Sequence, residues 1–222
     1  MVCPHCQDAE DVFSYGYAKR DLENYRTKGA TSSTQHLLDA LLGHEIAGKT
    51  LLDIGGGVGV IQHELLDKGL AHATDVDASS AYIIHNEKEA QRRGHDNKIR
   101  YVHGDFVQLA PDIDRADIVT LDRVVCCYPD VEKLVDLSSR LANDLYALVY
   151  PVDNWLTRNG IHVFNFLAFR LGGSQFRTYV HDSTHIDRII TDNGFQQLSR
   201  KRAGLTASQP ECQKIKNLNA IA

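Results

Sequence analysis

Residues 51–59 read Leu-Leu-Asp-Ile-Gly-Gly-Gly-Val-Gly, and no other stretch narrows so far what this chain can fold into. A short apolar run ends in Asp53, and glycines then fall at every second position: Gly55, Gly57 and Gly59. Such a segment fits a buried parallel strand that turns sharply into a helix, with a backbone bare enough for a nucleoside-bearing ligand to approach. The spacing also discriminates between ligands. A dinucleotide turn, Gly-x-Gly-x-x-Gly, needs its third glycine at position 60, which is Val60. A nicotinamide-dependent oxidoreductase is disfavoured on that ground. Glycine clusters also mark plain turns, so the reading needs support from the rest of the chain.

That support comes from periodicity. Strands are expected at Thr50–Ile54, Ala71–Val76, Ile99–His103, Ala116–Leu121 and Leu145–Tyr150, and helices at Ile61–Lys68, Ser79–Arg93 and Val131–Ala142. The alternation implies an α/β fold: a Rossmann-like, doubly wound, mostly parallel sheet with helices on both faces. Right-handed crossovers then bring all strand C-terminal ends to one edge, where ligands bind in open sheets. Before the alternation, residues 8–28 have helical character, and residues 33–43 carry a leucine stripe that Ser32 or Ser33 could cap and Gly43 could end. This divides the chain into an N-terminal helical segment or lid at 1–45 and a ligand-binding domain at 46–222. After Pro151 the rhythm breaks: residues 153–175 are aromatic-rich and read as a helix, part of an insertion over about 153–180 that serves either as a substrate cap or as sheet packing. Asp182-Ser183 caps a further expected helix that stops at Gly194. Residues 195–204 and 211–222 complete the sheet, the last strand being poorest in branched and aromatic residues.

Composition bounds the rest. The 222 residues, 43% hydrophobic, suit a single globular domain with a small cap. Apolar runs are too short to span a bilayer, and the polar first residues carry no apolar signal core, so a cytoplasmic protein is the expectation. The net charge of -5 argues against a nucleic-acid partner. The basic run Arg200-Lys201-Arg202 reads as a solvated strand edge. Five cysteines, an odd number, do not form a disulfide framework. Cys3-x-x-Cys6 lacks the second pair that a closed zinc site needs, so no metal is expected. Cys126 and Cys127 read as buried thiols, Cys127 facing the ligand edge.

If the glycine turn touches a nucleoside, an acidic residue should end the second strand to accept the ribose hydroxyls. Asp77 stands there, twenty residues after Gly57, with Ala78 following. Asp75 shares its strand face but lies further from the end. His103-Gly104-Asp105-Phe106 ends the third strand, where an acceptor takes an adenine amino group and a ring packs on the base. Thr120-Leu121-Asp122-Arg123 ends the fourth, where carbonyl and carboxylate groups receive an ammonium.

The pattern Asp-x-Gly-x-Gly-x-Gly, followed in order by Asp77, Gly104-Asp105-Phe106 and Leu121-Asp122, resembles class I S-adenosylmethionine-dependent methyltransferases over about residues 45–150, and more loosely to 205. The resemblance implies S-adenosyl-L-methionine as cofactor. It places Asp53, Gly55, Gly57 and Gly59 around its methionine and ribose, Asp77 and Ala78 at the ribose, Asp105 and Phe106 at adenine, and Leu121 and Asp122 near the amino-acid end. Asp122 to Pro129 and Phe176 to His181 further resemble magnesium-protoporphyrin O-methyltransferases. That family shows His-Tyr-Pro where this chain has Cys127-Tyr128-Pro129, and its N-terminal Tyr-Phe-Asn arm is not matched, so the porphyrin substrate is not carried over.

The expected activity is methyl transfer to a small-molecule acceptor, at oxygen, by in-line alignment. Tyr128 and His181 are the candidates for positioning or proton transfer, with Tyr25 and Arg26 in an N-terminal lid. The alternatives are a magnesium-protoporphyrin-like carboxyl O-methyltransferase and a non-catalytic cofactor-binding or scaffold protein.

Overall fold

The computed structural model describes residues 4–151, 153–172, 176–203 and 211–217. Its centre is a seven-stranded sheet built from β1 (Thr50–Ile54), β2 (His72–Asp77), β3 (Ile99–His103), β4 (Ala116–Asp122), β5 (Ala142–Pro151), β6 (Gln196–Ala203) and β7 (Glu211–Asn217). The strand order is β3-β2-β1-β4-β5-β7-β6. The first five strands are parallel, while β7 runs antiparallel to both β5 and β6. The order reverses between β1 and β4, so a crevice opens at their C-terminal ends.

Strand parity sorts the core into two layers. In β5, Leu145, Ala147 and Val149 face one cluster, with Leu37, Leu38, Leu41, Ile61 and Leu65. Tyr146, Leu148 and Tyr150 face the other, with Leu134, Val135, Ile186, Ile190 and Phe195. The helices on the first face are α3 (Ser32–Leu41), α4 (Val60–Leu66) and α5 (Ser80–Arg93), the last contributing Ala90. On the second lie α6 (Phe106–Leu109), α7 (Val131–Arg140) and α9 (Ser183–Asp192). Near-continuous apolar strands are what a sheet covered on both sides requires. Two helices precede α3, namely α1 (Pro4–Val12) and α2 (Tyr15–Lys28), and α8 (Trp155–Gly172) fills the region after β5.

The expected α/β fold is borne out, with small differences at element ends. The segment 8–28 is two helices, broken at Phe13-Ser14, where the carbonyl of Phe13 accepts a hydrogen bond from Ser79 Oγ. Thr31, rather than Ser32 or Ser33, caps α3, its hydroxyl accepting from the Thr34 amide. β7 forms despite its composition, because β5 and β6 pair with it from both sides. Residues 173–175, 204 and 218–222 of the expected elements lie outside the described residues, as does Cys3. Among the described residues no helix is long and apolar enough to cross a membrane.

Candidate active site

The loop after β1 depends on glycine at each turn. Gly55, Gly57 and Gly59 all have positive φ, at 66°, 59° and 78°, a region that side chains with a Cβ rarely adopt. The surroundings differ. A Cβ on Gly55 would meet Val124 Cγ2 at 2.4 Å, and one on Gly59 would meet Asn86 Oδ1 at 2.3 Å. At Gly57 the nearest atom is Tyr82 Cε1, at 3.8 Å. Thus Gly55 and Gly59 let the backbone pack closely on the turn after β4 and on α5, and Gly57 leaves space above the loop.

Beneath the loop lies a buried polar layer. Asp75, Asp53 and Thr120 are neighbours across β2, β1 and β4 in the sheet register. Thr120 Oγ1 donates to Asp53 Oδ1 at 2.6 Å and Gln62 Nε2 to Asp53 Oδ2 at 3.0 Å. Asn86 Nδ2 donates to both Gln62 Oε1 and Asp75 Oδ2, each at 2.9 Å. Burial pushes the Asp53 carboxyl up, against the hydrogen bonds from Thr120 and Gln62, to about 7. Burial and the neighbouring Asp77 and Asp53 carboxylates raise Asp75. Asp53, expected around a ligand, is 1% exposed and props the loop from below.

Asp77 ends β2 as expected, and its carboxylate accepts from the Gly57 amide at 3.0 Å and the Ser79 amide at 2.8 Å. Burial raises its pKa, while those two amides counter the shift. Ala78 turns the chain into α5, its carbonyl accepting from His103 Nε2 at 3.1 Å. The Gly104 amide donates to the Asp77 carbonyl at 2.9 Å, tying the turns after β2 and β3 together.

Asp105 caps α6, accepting from the Val107 amide and from Gln108 Nε2. It also accepts from the Tyr128 hydroxyl at 2.9 Å. The Phe106 ring, expected against a base, is 4% exposed and packs in the core beside Ile54, Val76 and Leu121. The cap set by Asp105 turns that ring inward. Leu121 is also fully buried, and Asp122 lies at the strand end, accepting from Thr34 Oγ1 at 2.6 Å. Arg123 follows with φ 63°, a left-handed conformation in a non-glycine residue at the sheet's ligand edge.

The two candidate catalytic side chains meet through the backbone. His181 Nε2 donates to the Tyr128 carbonyl at 3.0 Å, and the imidazole stacks on Tyr179. Burial lowers the His181 pKa, and the bond to the Tyr128 carbonyl opposes that shift. The Tyr179 amide donates to the Cys126 carbonyl at 2.7 Å, so residues 176–181 run along the turn after β4.

Sequence reasoning missed an aromatic cluster. Phe13 contacts Tyr17, Tyr82 and Phe176 at ring separations of 5.6, 5.4 and 5.5 Å. Glu10 accepts from the Ser80 amide and hydroxyl at the start of α5. Tyr25 and Arg26 reach the α4 and α5 side of the sheet: Tyr25 donates to Glu64 on α4, and Arg26 pairs with Glu89 on α5. Only the Phe176 segment carried a sequence signal; apart from Phe13 and Tyr17, these contacts join residues remote in the chain.

A bare glycine turn bonded to an acidic strand end, above a braced polar layer, suits an adenosyl group with a methionine tail. Comparison with known proteins agrees. Residues 52–144 match the family model described as a methyltransferase domain. Ribosomal protein L11 methyltransferase of Enterobacter sp. (strain 638) is 29% identical over 119 residues, which cover 53% of this chain and 39% of that protein. The match thus spans about two fifths of that relative's length. Among solved structures, magnesium protoporphyrin IX methyltransferase from Synechocystis PCC 6803 with bound S-adenosylhomocysteine superposes with a TM-score of 0.74 at 19% identity, covering 96% of this chain and 99% of that one. The putative methyltransferase in complex with the Haloferax volcanii Trm112 activator gives a TM-score of 0.71 at 14% identity, covering 94% and 96%. Residues 52–144 thus match a methyltransferase domain, and the chain shares the fold of these solved methyltransferases. The Synechocystis enzyme has been solved both with S-adenosylhomocysteine and with S-adenosylmethionine bound.

Proposed function

We propose that this chain transfers the methyl group of S-adenosylmethionine to a small-molecule acceptor, at oxygen. The observation that carries the reading is the Gly57 amide held on the Asp77 carboxylate, over a turn kept free of side chains. When bound, the cofactor supplies a sulfonium-activated methyl group. The chain's own contribution is to bind and align, and alignment of reactants is worth several powers of ten in rate. In this reading Asp77 accepts the ribose hydroxyls, with Ala78 beside it. Gly55, Gly57 and Gly59 offer bare backbone, and Asp53 braces them. Asp105 holds the adenine end while Phe106 supports its turn from below. Leu121 and Asp122 hold the amino-acid end.

Tyr128 and His181 act at the acceptor side. Tyr128 is nearly buried, with its hydroxyl committed to Asp105. His181 holds the Tyr128 carbonyl. Together they set the shape of the turn on which an acceptor rests. Residues 1–45 serve as a lid, closing through Phe13 on Phe176 and excluding water. The insertion that contains α8 forms the outer wall.

Calorimetry with S-adenosylmethionine, S-adenosylhomocysteine and NAD tests the cofactor assignment: the first two should bind and NAD should not. Methyl transfer from labelled cofactor to hydroxyl- and carboxyl-bearing metabolite pools tests turnover. Binding without any transfer would favour a scaffold role. A second reading is carboxyl O-methylation of a porphyrin-like acceptor. It is supported by the end-to-end likeness to the Synechocystis enzyme, and opposed by Cys127 in place of histidine.

A further inference from the structure

Cys126 and Cys127 sit in a 3-10 turn over Val125–Cys127, directly after the ligand edge of β4. Their sulfurs are 3.7 Å apart, and both approach the Arg123 carbonyl, at 3.1 and 3.6 Å. Cys126 is buried and Cys127 half-buried, and neither is held in a disulfide. The hydrogen bond with Cys126 lowers the Cys127 pKa; burial opposes this and the Arg123 guanidinium assists. The shift is towards the thiolate, the form that bonds soft ligands, at the more accessible sulfur.

Geometry discriminates between two uses of such a pair. A disulfide usually spans Cα atoms 4.4–6.8 Å apart, whereas adjacent residues hold theirs at about 3.8 Å. Direct closure is therefore strained, and the sulfurs would have to approach from 3.7 Å to about 2.05 Å. A single atom bonded to both is a better fit. At a bond length of about 2.3 Å, that of zinc to thiolate, sulfurs 3.7 Å apart subtend roughly 107°, close to tetrahedral. Among the described residues no group of three or more His, Cys, Asp or Glu stands ready to hold a metal ion. The pair thus suits a ligand that needs two sulfurs and no third protein group.

We propose that Cys126 and Cys127 form a two-sulfur binding site at the ligand edge of the sheet for a soft thiophile that bonds both at once, with trivalent arsenicals as the ligand class. The chemistry is redox-neutral. An arsenic(III) oxide centre exchanges its oxygen for two sulfurs: two As–S bonds form, the As–O bond breaks, and both thiol protons leave with the oxygen as one water. Arsenic stays trivalent and no oxidant is consumed. The Arg123 carbonyl and the bond from the Tyr179 amide to the Cys126 carbonyl fix the turn, so the two sulfurs are held together before the ligand arrives.

The probe is phenylarsine oxide, added to full-length protein in which Cys3, Cys6 and Cys212 are replaced by serine. This removes the Cys-x-x-Cys pair as a competing dithiol. Intact mass should show one adduct per chain, with one water lost. The adduct should be lost on dilution from both Cys126→Ser and Cys127→Ser, since one sulfur cannot chelate. Affinity for the folded chain should exceed that for a peptide of residues 121–130 by at least tenfold. No adduct, equal retention by either single-serine variant, or equal affinity for the peptide would overturn the site. So would a two-hydrogen mass loss in air that maps to a Cys126–Cys127 disulfide.

Discussion

The amide of Gly57 lies 3.0 Å from Oδ2 of Asp77, joining the turn after β1 to the end of β2 across twenty residues. The bond orders both partners at the place where a ribose would lie. Asp77 accepts from the Ser79 amide as well, so its carboxylate is fixed before any ligand is present. A preorganised acceptor loses little entropy when it receives a hydroxyl pair.

Asp77→Ala should therefore weaken S-adenosylhomocysteine binding by roughly 5- to 150-fold, since a hydroxyl pair left without its acceptor costs about 1–3 kcal/mol. Titration calorimetry reads this directly. A thermal melt on the same sample separates lost affinity from lost folding. Unchanged affinity in a folded variant would remove Asp77 from the cofactor site.

Glycines in the same loop should differ in what they tolerate. Gly57→Ala meets nothing closer than 3.8 Å, so its cost is the left-handed backbone, about 1–2 kcal/mol. Gly56→Ala drives a methyl group to 2.2 Å from Gln62 Nε2 and 2.6 Å from Asp75 Oδ1, in a buried layer with no room to yield. Overpacking of that kind adds about 1–3 kcal/mol and disturbs the hydrogen bonds beneath. Urea denaturation should therefore rank Gly56→Ala as the less stable variant. The reverse order would show that the layer repacks freely.

The sequence made the parallel half of the fold legible because strand and helix periods alternate there without interruption. Ile99–His103 is found with the expected bounds, and Asp77 could be placed by its distance from Gly57 alone. What stayed hidden are contacts with no local signature. Thr34 reaches Asp122 across 88 residues, and the Tyr128 hydroxyl finds Asp105 across 23. Phe106 shows a different limit: the tripeptide Gly-Asp-Phe says that a ring follows the acceptor, but the helix cap decides which way the ring faces. Asp53 likewise reads as a ligand residue in the motif, yet strand parity turns it towards Gln62, under the loop.

The same Asp53 should leave a signature in the pH dependence of stability. Its carboxyl is pushed from 3.8 to about 7 in the folded chain, chiefly by burial. A raised carboxyl pKa means that the folded state holds its proton more tightly than the unfolded chain. The associated stability is complete below the unfolded pKa and is lost as pH rises through the folded value. Between pH 3.8 and about 7, Asp53 thus makes the protein less stable with rising pH. Asp53→Asn keeps the shape and removes the titration. The stability difference between variant and parent, from denaturant midpoints, should shift in the variant's favour across that window. A constant difference would mean that Asp53 titrates alike in both states.

The N-terminal helices should prove separable from the sheet through one buried carboxylate. The Glu89 side chain is fully buried and meets Arg26 at 2.7 Å, Arg92 at 2.5 Å and Arg93 at 2.9 Å. Burial pushes its carboxyl up, but the hydrogen bonds from Arg92, Arg93 and Arg26 win and hold it at about 2. Of the three, only Arg26 comes from α2, so this bond ties α2 to α5. Glu89→Gln removes the charge and leaves three guanidinium groups facing a neutral amide. Losing one partner of a buried ion pair costs about 3–5 kcal/mol; the partly exposed arginines can recover some hydration, so about 2 kcal/mol is expected. Arg26→Gln removes only the α2 arm and should cost less. Amide exchange resolves the two effects. Both variants should speed exchange over residues 15–28, and only Glu89→Gln should also loosen the end of α5. Protection of 15–28 that stays intact in both would show that Leu22 and Tyr25, packed on Val58, hold α2 without the ion pair.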